Sequence, residues 1–397
     1  MKICFIAWSD FGVGGIPKVL TNTLNYLSKS HELHVYCLKS EPIVDAYNLN
    51  RSSIVFYHRE MTLCEKFRRS GADLLLNKTP LFSSYIGAKL FPLIRYSKKY
   101  RDDLLYYLDK ERFDIVVYAT GLHESLLLDT VRKSLKNRPR LVAWSHLSYE
   151  LTFKNKYIST HLNNLVKSVF SQFDAIVVLS EHDKSNFLKH HGLHVTHIYN
   201  AVSFTPSYVG NKQENSFVYV GSLSYDKGID VAVEAFAKFH KFNSNSSLHI
   251  YGDGPLRRYI QTLICKYNLH RVVHLYGNQL NIESVLAKYS IFLFPSRYEG
   301  FGIAQVEAMA CGLPIIASNI PVNIELNRKS KAGLLFNSED VESLYDAMIH
   351  MHGSNIAEFS RNGIEFAKSF SIEIIGEQWE NLFKTLLSQD CLSKKYV

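Results

Sequence analysis

Cysteine is scarce and scattered in this chain of 397 residues: Cys4, Cys37, Cys64, Cys265, Cys311 and Cys391 make no C-x-x-C pair. That spacing argues against a disulfide framework or a zinc ribbon and leaves reduced, mostly buried thiols. Histidine is plentiful at 17, yet His190–His191 is the only adjacent pair and no H-E-x-x-H occurs. No structural metal is therefore expected. Long apolar runs are also missing. The best candidate, Pro80–Ile94, is short and interrupted by Lys89 and Pro92, which argues against a bilayer span. The opening MKICFIAW runs straight into a glycine loop, which suits a first strand better than a signal peptide. A cytoplasmic location is expected. Repeats and low-complexity segments are absent as well.

What is present is an ordinary globular composition, 46% hydrophobic and 21% charged, in a chain long enough to prefer two domains. Short apolar runs alternate with helix-like stretches. In the first half the runs are Lys2–Ala7, His34–Leu38, Ile54–Tyr57, Asp114–Ala119, Leu141–Trp144 and Ala175–Leu179. The pattern lapses into Pro, Ser, Gly and Asn over Val202–Asn215, the best linker in the chain. It restarts with Phe217–Val220, Leu248–Tyr251, Val272–Tyr276, Ile291–Phe294 and Ile315–Ala317. Such alternation predicts an α/β protein with two doubly wound parallel sheets.

The first glycine loop, Ser9–Pro17, holds Gly12, Gly14 and Gly15. It is not the dinucleotide fingerprint. Pro17 stands at the last glycine position, and the second strand runs into Lys39 where a ribose-binding acid would be expected. A nicotinamide enzyme is disfavoured on both counts.

The stretch around which the chain is organised is Ser290–Ser318, SIFLFPSRYEGFGIAQVEAMACGLPIIAS. A buried strand ends at Pro295 and a loop follows. A helix then starts near Ala304, with Gly312 and Pro314 as stop signals. Glu299 lies in the loop and Glu307 in the helix, with Gly300-Phe301-Gly302 between them, where bare backbone N–H groups can approach an anion. Glu299-x7-Glu307 in this setting resembles the signature of the retaining glycosyltransferases of family 4, which have the GT-B fold. The match runs through loop, helix and next strand.

That resemblance implies two Rossmann-like domains facing a central cleft. Residues 1–203 would bind the acceptor and 204–375 the nucleotide-sugar donor, and 376–397 would form a terminal helix returning to the first domain. Val202–Asn215 is expected to act as a hinge. It implies that Lys227, in the G-x-L-x-x-x-K-G run, pairs with the diphosphate. Glu299 would bind sugar hydroxyls near the developing positive charge, and Glu307 the ribose. Gly252 and Gly254 of YGDGP, and the amides of Phe301, Gly302 and Ile303, would approach the nucleotide. Gly14 and Gly15 match the glycine loop near the donor diphosphate, and His146 the family's cleft histidine. The catalytic set so implied is Glu299, His146 and Lys227.

The expected activity is retaining transfer of a hexosyl unit from a nucleotide-diphosphate sugar, with UDP favoured, to a saccharide or lipid-linked acceptor. The setting would be bacterial lipopolysaccharide or surface-polysaccharide synthesis. No metal or cofactor is expected. No metal-binding D-x-D occurs near the donor motifs, and Asp102-Asp103 lies in the basic helical region. A same-fold nucleotide-sugar hydrolase or epimerase, or an inactive nucleotide-sugar-binding protein, is the alternative. One departure stands out: Ser222 occupies the place of the family's diphosphate-binding arginine, and a hydroxyl cannot replace a bidentate fork. Lys18, Arg257 and Arg297 are the candidate substitutes.

The charge is localised. Between Arg59 and Arg101 ten basic residues face three acidic ones, leaving +7 of the chain's formal +8. Interleaved with Leu, Phe, Ile and Tyr, the stretch suits an anionic membrane surface, on the inner face of the cell membrane, or a phosphate-bearing acceptor. A solvated helical pair is the plainer alternative. Nucleic acid is disfavoured, since no binding motif accompanies the charge.

Overall fold

Every residue of the first strand after Lys2 is buried, as the unbroken apolar run Ile3–Ala7 requires of a strand covered on both faces. The computed structural model of the protein describes residues 1–7, 11–38, 45–59, 61–78, 85–119, 127, 130–153, 168–204 and 213–393. Among these, strands β1 (Lys2–Ala7), β2 (Glu32–Cys37), β3 (Ile54–His58), β4 (Ile115–Tyr118), β5 (Arg140–Trp144), β6 (Ala175–Val178) and β7 (Thr196–His197) form one sheet in the order β3-β2-β1-β4-β5-β6-β7. A second sheet, β10-β9-β8-β11-β12-β13, is built from β8 (Ser216–Val220), β9 (Ser247–Tyr251), β10 (Val273–Gly277), β11 (Ile291–Phe294), β12 (Ile315–Ser318) and β13 (Gly333–Phe336). All pairings within both sheets are parallel. Both orders are doubly wound, as the alternation predicts, and the two sheets are the Rossmann-like pair of a GT-B fold. The edge strands β7 and β13 were not legible beforehand.

The chain divides into two units, Met1–Tyr199 with Gly376–Val397, and Asn200–Ile375. Of the proposed hinge, residues 205–212 lie outside the described residues, as do Ser9 and Asp10 of the first glycine loop. The last helix, Ile372–Ser393, brings Trp379 against Trp144 of β5, with ring centroids 4.7 Å apart and both indoles fully buried. Its Glu380 accepts a hydrogen bond from Ser30 at 3.0 Å.

In the second unit the period-two alternation of β8 sorts the core. Phe217 and Tyr219 join the cluster that contains Phe236 and Phe239 of the Ile229–Phe242 helix, while Val218 joins Ala308 and Met309 on the other face. The Ile303–Ala310 helix (IAQVEAMA) consists mostly of strong helix formers. It ends where Gly312, at φ +66°, turns the chain. Leu313 N–H then donates to Ala308 O at 2.9 Å and Gly312 N–H to Met309 O at 2.9 Å, a Schellman closure.

Candidate active site

In a doubly wound sheet ligands gather beyond the carboxyl ends of the strands where the winding reverses. In the second unit that place lies between β8 and β11, which are hydrogen-bonded neighbours. The loops leaving these strands, residues 221–228 and 295–302, carry Lys227 and Glu299. Lys227 Nζ lies 2.8 Å from Glu299 Oε1, although the two are 72 positions apart in the chain. Ser296 Oγ donates to the same carboxylate oxygen at 2.9 Å, and Asp226 lies 3.7 Å from the ammonium. Burial pulls the Lys227 pKa down, but Glu299 and then Asp226 more than offset it and leave it above the ordinary lysine value. Lys227 is thus cationic across the physiological range.

The two loops are pinned together by backbone. Arg297 N–H donates to Asp226 O at 2.8 Å. Gly228 sits at φ +63°, and a Cβ there would fall 2.0 Å from Pro295 O, so only glycine allows this approach. Arg297 is spent on the same task. Its guanidinium grips Asp230 through two bonds of 2.9 and 2.8 Å, donates to Glu339 at 2.7 Å and lies over the Tyr225 ring. These partners remove it from the candidates for diphosphate binding. A buried relay supports the loop from behind: Gln305 donates to Asn323 at 2.8 Å, Asn323 to Ser318 O at 3.0 Å, and Ser318 Oγ to Ser296 O. Sequence reasoning missed Asp230, Asn323, Ser318 and Glu339; each is an ordinary polar residue whose partner is distant in the chain.

The helix that begins at Ile303 has Gly302 as its N-cap and no side chain capping it, so its first amides are placed to meet an anion. Phe301 is buried, with its ring 5.7 Å from that of Phe370. Glu307 is buried on the same helix, one turn beyond its start. Gly252 and Gly254 lie in the loop after β9, packed on the 221–223 backbone. A Cβ at Gly252, whose φ is +140°, would fall 1.8 Å from Gly221 O, and one at Gly254 2.6 Å from Leu223 O. Loop packing accounts for both glycines. Ser222 sits beside them, its hydroxyl 3.4 Å from Asp253 O.

The remaining residues belong to the first unit. Gly14 precedes the Gly15–Leu27 helix and its N–H donates to Tyr47 Oη at 3.0 Å; Gly15 is exposed. Lys18 is buried, with its ammonium 5.9 Å from the centre of the Tyr47 ring. His146 stands beyond β5 with its ring 4.5 Å from Trp144. Both its ring nitrogens are shut off from solvent and have no hydrogen-bond partner among the described residues. Burial lowers its pKa to about 3, so it is a neutral imidazole at pH 7. Such a ring can meet a hydroxyl but cannot supply positive charge. A depressed histidine pKa means that the unfolded chain takes up protons first, so stability is full above the unfolded value and declines as pH falls toward 3. His146→Gln should therefore lose less melting temperature than the wild type between pH 7 and 5, as read by thermal denaturation; parallel losses would contradict a buried neutral ring.

Comparison with known proteins agrees with this architecture. The model for glycosyl transferases group 1 matches residues 205–369, and that for glycosyltransferase family 4 matches residues 13–205. This chain is a group 1, family 4 glycosyltransferase. Among its relatives is an exopolysaccharide phosphotransferase of Streptomyces coelicolor, 33% identical over 168 residues, 41% of this chain but only 18% of that protein. The O-antigen biosynthesis glycosyltransferase WclY of Escherichia coli is 24% identical over 297 residues, covering 70% of this chain and 81% of WclY. The solved structure of a S. aureus TarM variant with Fondaparinux, alpha-GlcNAc-glycerol and UDP superposes with a TM-score of 0.75 at 16% identity, over 96% of this chain and 99% of TarM. At that identity the likeness shows the GT-B fold. In this glycosyltransferase Glu299 and Glu307 are carried by one loop and the helix that follows it.

Proposed function

We propose that this glycosyltransferase moves a hexosyl unit from a nucleoside-diphosphate sugar, with UDP as the nucleotide, to a saccharide or lipid-linked acceptor with retention of anomeric configuration. The setting proposed is the assembly of a surface polysaccharide or lipopolysaccharide. The Lys227–Glu299 pair at the switch point carries this reading. As the bond to the sugar breaks, negative charge builds on the diphosphate and positive charge on the sugar ring. Lys227 and the first amides of the Ile303–Ala310 helix suit the former, and Glu299 the latter. This arrangement meets both charges without a metal. UDP in the TarM complex and the O-antigen role of WclY support the donor and the setting.

The test is a panel of nucleotide sugars. The true donor at about a hundred times its Kd stabilises the protein by about 2.7 kcal/mol, which a melting scan reads directly. Product anomers read by NMR test retention. No shift with any donor would overturn the proposal, and donor consumed equally well without acceptor would favour the hydrolase alternative.

A specific observation also favours work at a membrane surface. Leu63 and Phe67, one turn apart on the Leu63–Lys78 helix, are 73% and 75% exposed, beside the exposed Lys66 and Arg68. By contrast Arg59 and Arg95 of the basic stretch are buried, and Arg59 grips Glu65. No helix among the described residues is long and apolar enough to cross a membrane. Exposed apolar side chains flanked by cations suit the headgroup region of an anionic leaflet. Leu63→Asp with Phe67→Asp should lower cosedimentation with phosphatidylglycerol vesicles by about tenfold. Unchanged binding would leave a solvated helix.

A further inference from the structure

A second cationic site lies in the first unit, on the edge of the sheet opposite to the one where ligands usually gather. Arg140 is the first residue of β5, whose other end leads to His146, and Asp174 immediately precedes β6. Around them is a cavity of about 510 Å³, with Leu135, Pro139 and Leu141 among its lining. Arg132, Lys133, Arg138 and Arg140 also line it, with Asp174 the one acidic residue. The volume falls within the range of small-ligand sites, about 300–1,000 Å³.

The charges do not balance. Asp174 is fully used: it accepts from Arg140 at 2.7 Å and from Leu141 N–H at 2.8 Å. The Arg132 guanidinium donates to Gln172, a neutral amide, at 2.6 Å. Lys133 and Arg138 are exposed and pair with no acid among the described residues. Arg132 and Lys133 stand where a helical turn ends, so the helix dipole accounts for part of their placement. It does not account for Arg138, on the loop beyond. Like charges around one concavity repel one another, and a multivalent anion reverses the sign of that term. Guanidinium forks suit phosphate oxygens in particular.

We propose that the cavity bounded by Arg132, Lys133, Arg138 and Arg140 is an anion site for a phosphate-bearing ligand, separate from the Lys227–Glu299 site. The ligand's source is either a lipid headgroup or a soluble phosphorylated compound. Inorganic pyrophosphate is the probe, and amide hydrogen exchange of the full chain is the readout, because it reports residues 130–141 apart from pyrophosphate bound near Lys227. Pyrophosphate should slow exchange across 130–141 in the wild type, and in Lys133→Glu with Arg138→Glu the affinity for this effect should fall by about tenfold or more. Both residues are exposed, so melting temperature and nucleotide-diphosphate binding should be unchanged. A parallel sedimentation with phosphatidylglycerol vesicles separates the sources. Weaker vesicle binding by the double variant identifies a headgroup, and equal vesicle binding with lost pyrophosphate protection identifies a soluble phosphate. Unaltered exchange across 130–141 in the wild type, or equal protection in the double variant, would overturn the proposal. If instead nucleotides fail to bind the wild type, only the donor reading is lost.

Discussion

Lys227→Ala is expected to weaken binding of a nucleoside diphosphate by about a hundredfold while changing affinity for the bare nucleoside by less than about threefold. Lys227 is a cation at the switch point, whereas Arg297 is held by Asp230 and Glu339, Ser222 carries no charge, and Arg257 lies 3.7 Å from Asp253. Its present partner is Glu299 at 2.8 Å, so a diphosphate would share or replace an existing ion pair. A phosphate can win that exchange because it brings more charge and several acceptor oxygens. Isothermal titration with the two ligands checks the difference. Equal losses would mean that Lys227 serves the fold of the loop and not the phosphates.

Glu299→Gln is expected to lower the transfer rate by about a hundred- to a thousandfold. The amide keeps the shape and can still accept from Ser296, so the loop should hold its conformation. What disappears is the negative charge that would face the developing oxocarbenium ion. Lys227 also loses its neutralising partner and becomes more available to the diphosphate. Donor affinity should therefore hold or improve while kcat falls, a split that a merely structural residue would not produce. A kcat within about threefold of the wild type would exclude a role for the Glu299 charge. Because the two side chains touch, Lys227→Ala with Glu299→Gln should depart from additivity.

The motif residues were legible because their signals are local. Glycine at 228 and 302, an apolar strand ending in Pro295, and a run of helix formers closed by Gly312 are each written within a few positions. Strands β7 and β13 were not, since two residues at an edge and a four-residue segment opening on glycine carry too little pattern to stand out. The role of Arg297 was equally hidden. In the chain it is one more basic residue beside the motif; its partners lie at 230 and 339, on a different helix and a different loop.

Gly252 and Gly254 show the same limit from the other side. Their presence in a turn was plain, but what fills the space of the missing Cβ atoms is the 221–223 backbone, which no reading of residues 250–256 alone could reveal.

By itself, then, the order of residues determined the α/β class, the two halves and the loops that hold Lys227 and Glu299. Those features follow from hydrophobic periodicity and turn chemistry, which act over one or two turns of chain. The tertiary structure alone decided that β8 and β11 lie side by side, that Lys227 meets Glu299, and that Arg297 is locked. It also decided that Leu63 and Phe67 face outward while Arg59 is buried. Strand order and burial depend on contacts between segments far apart in the chain, and such contacts leave no local mark.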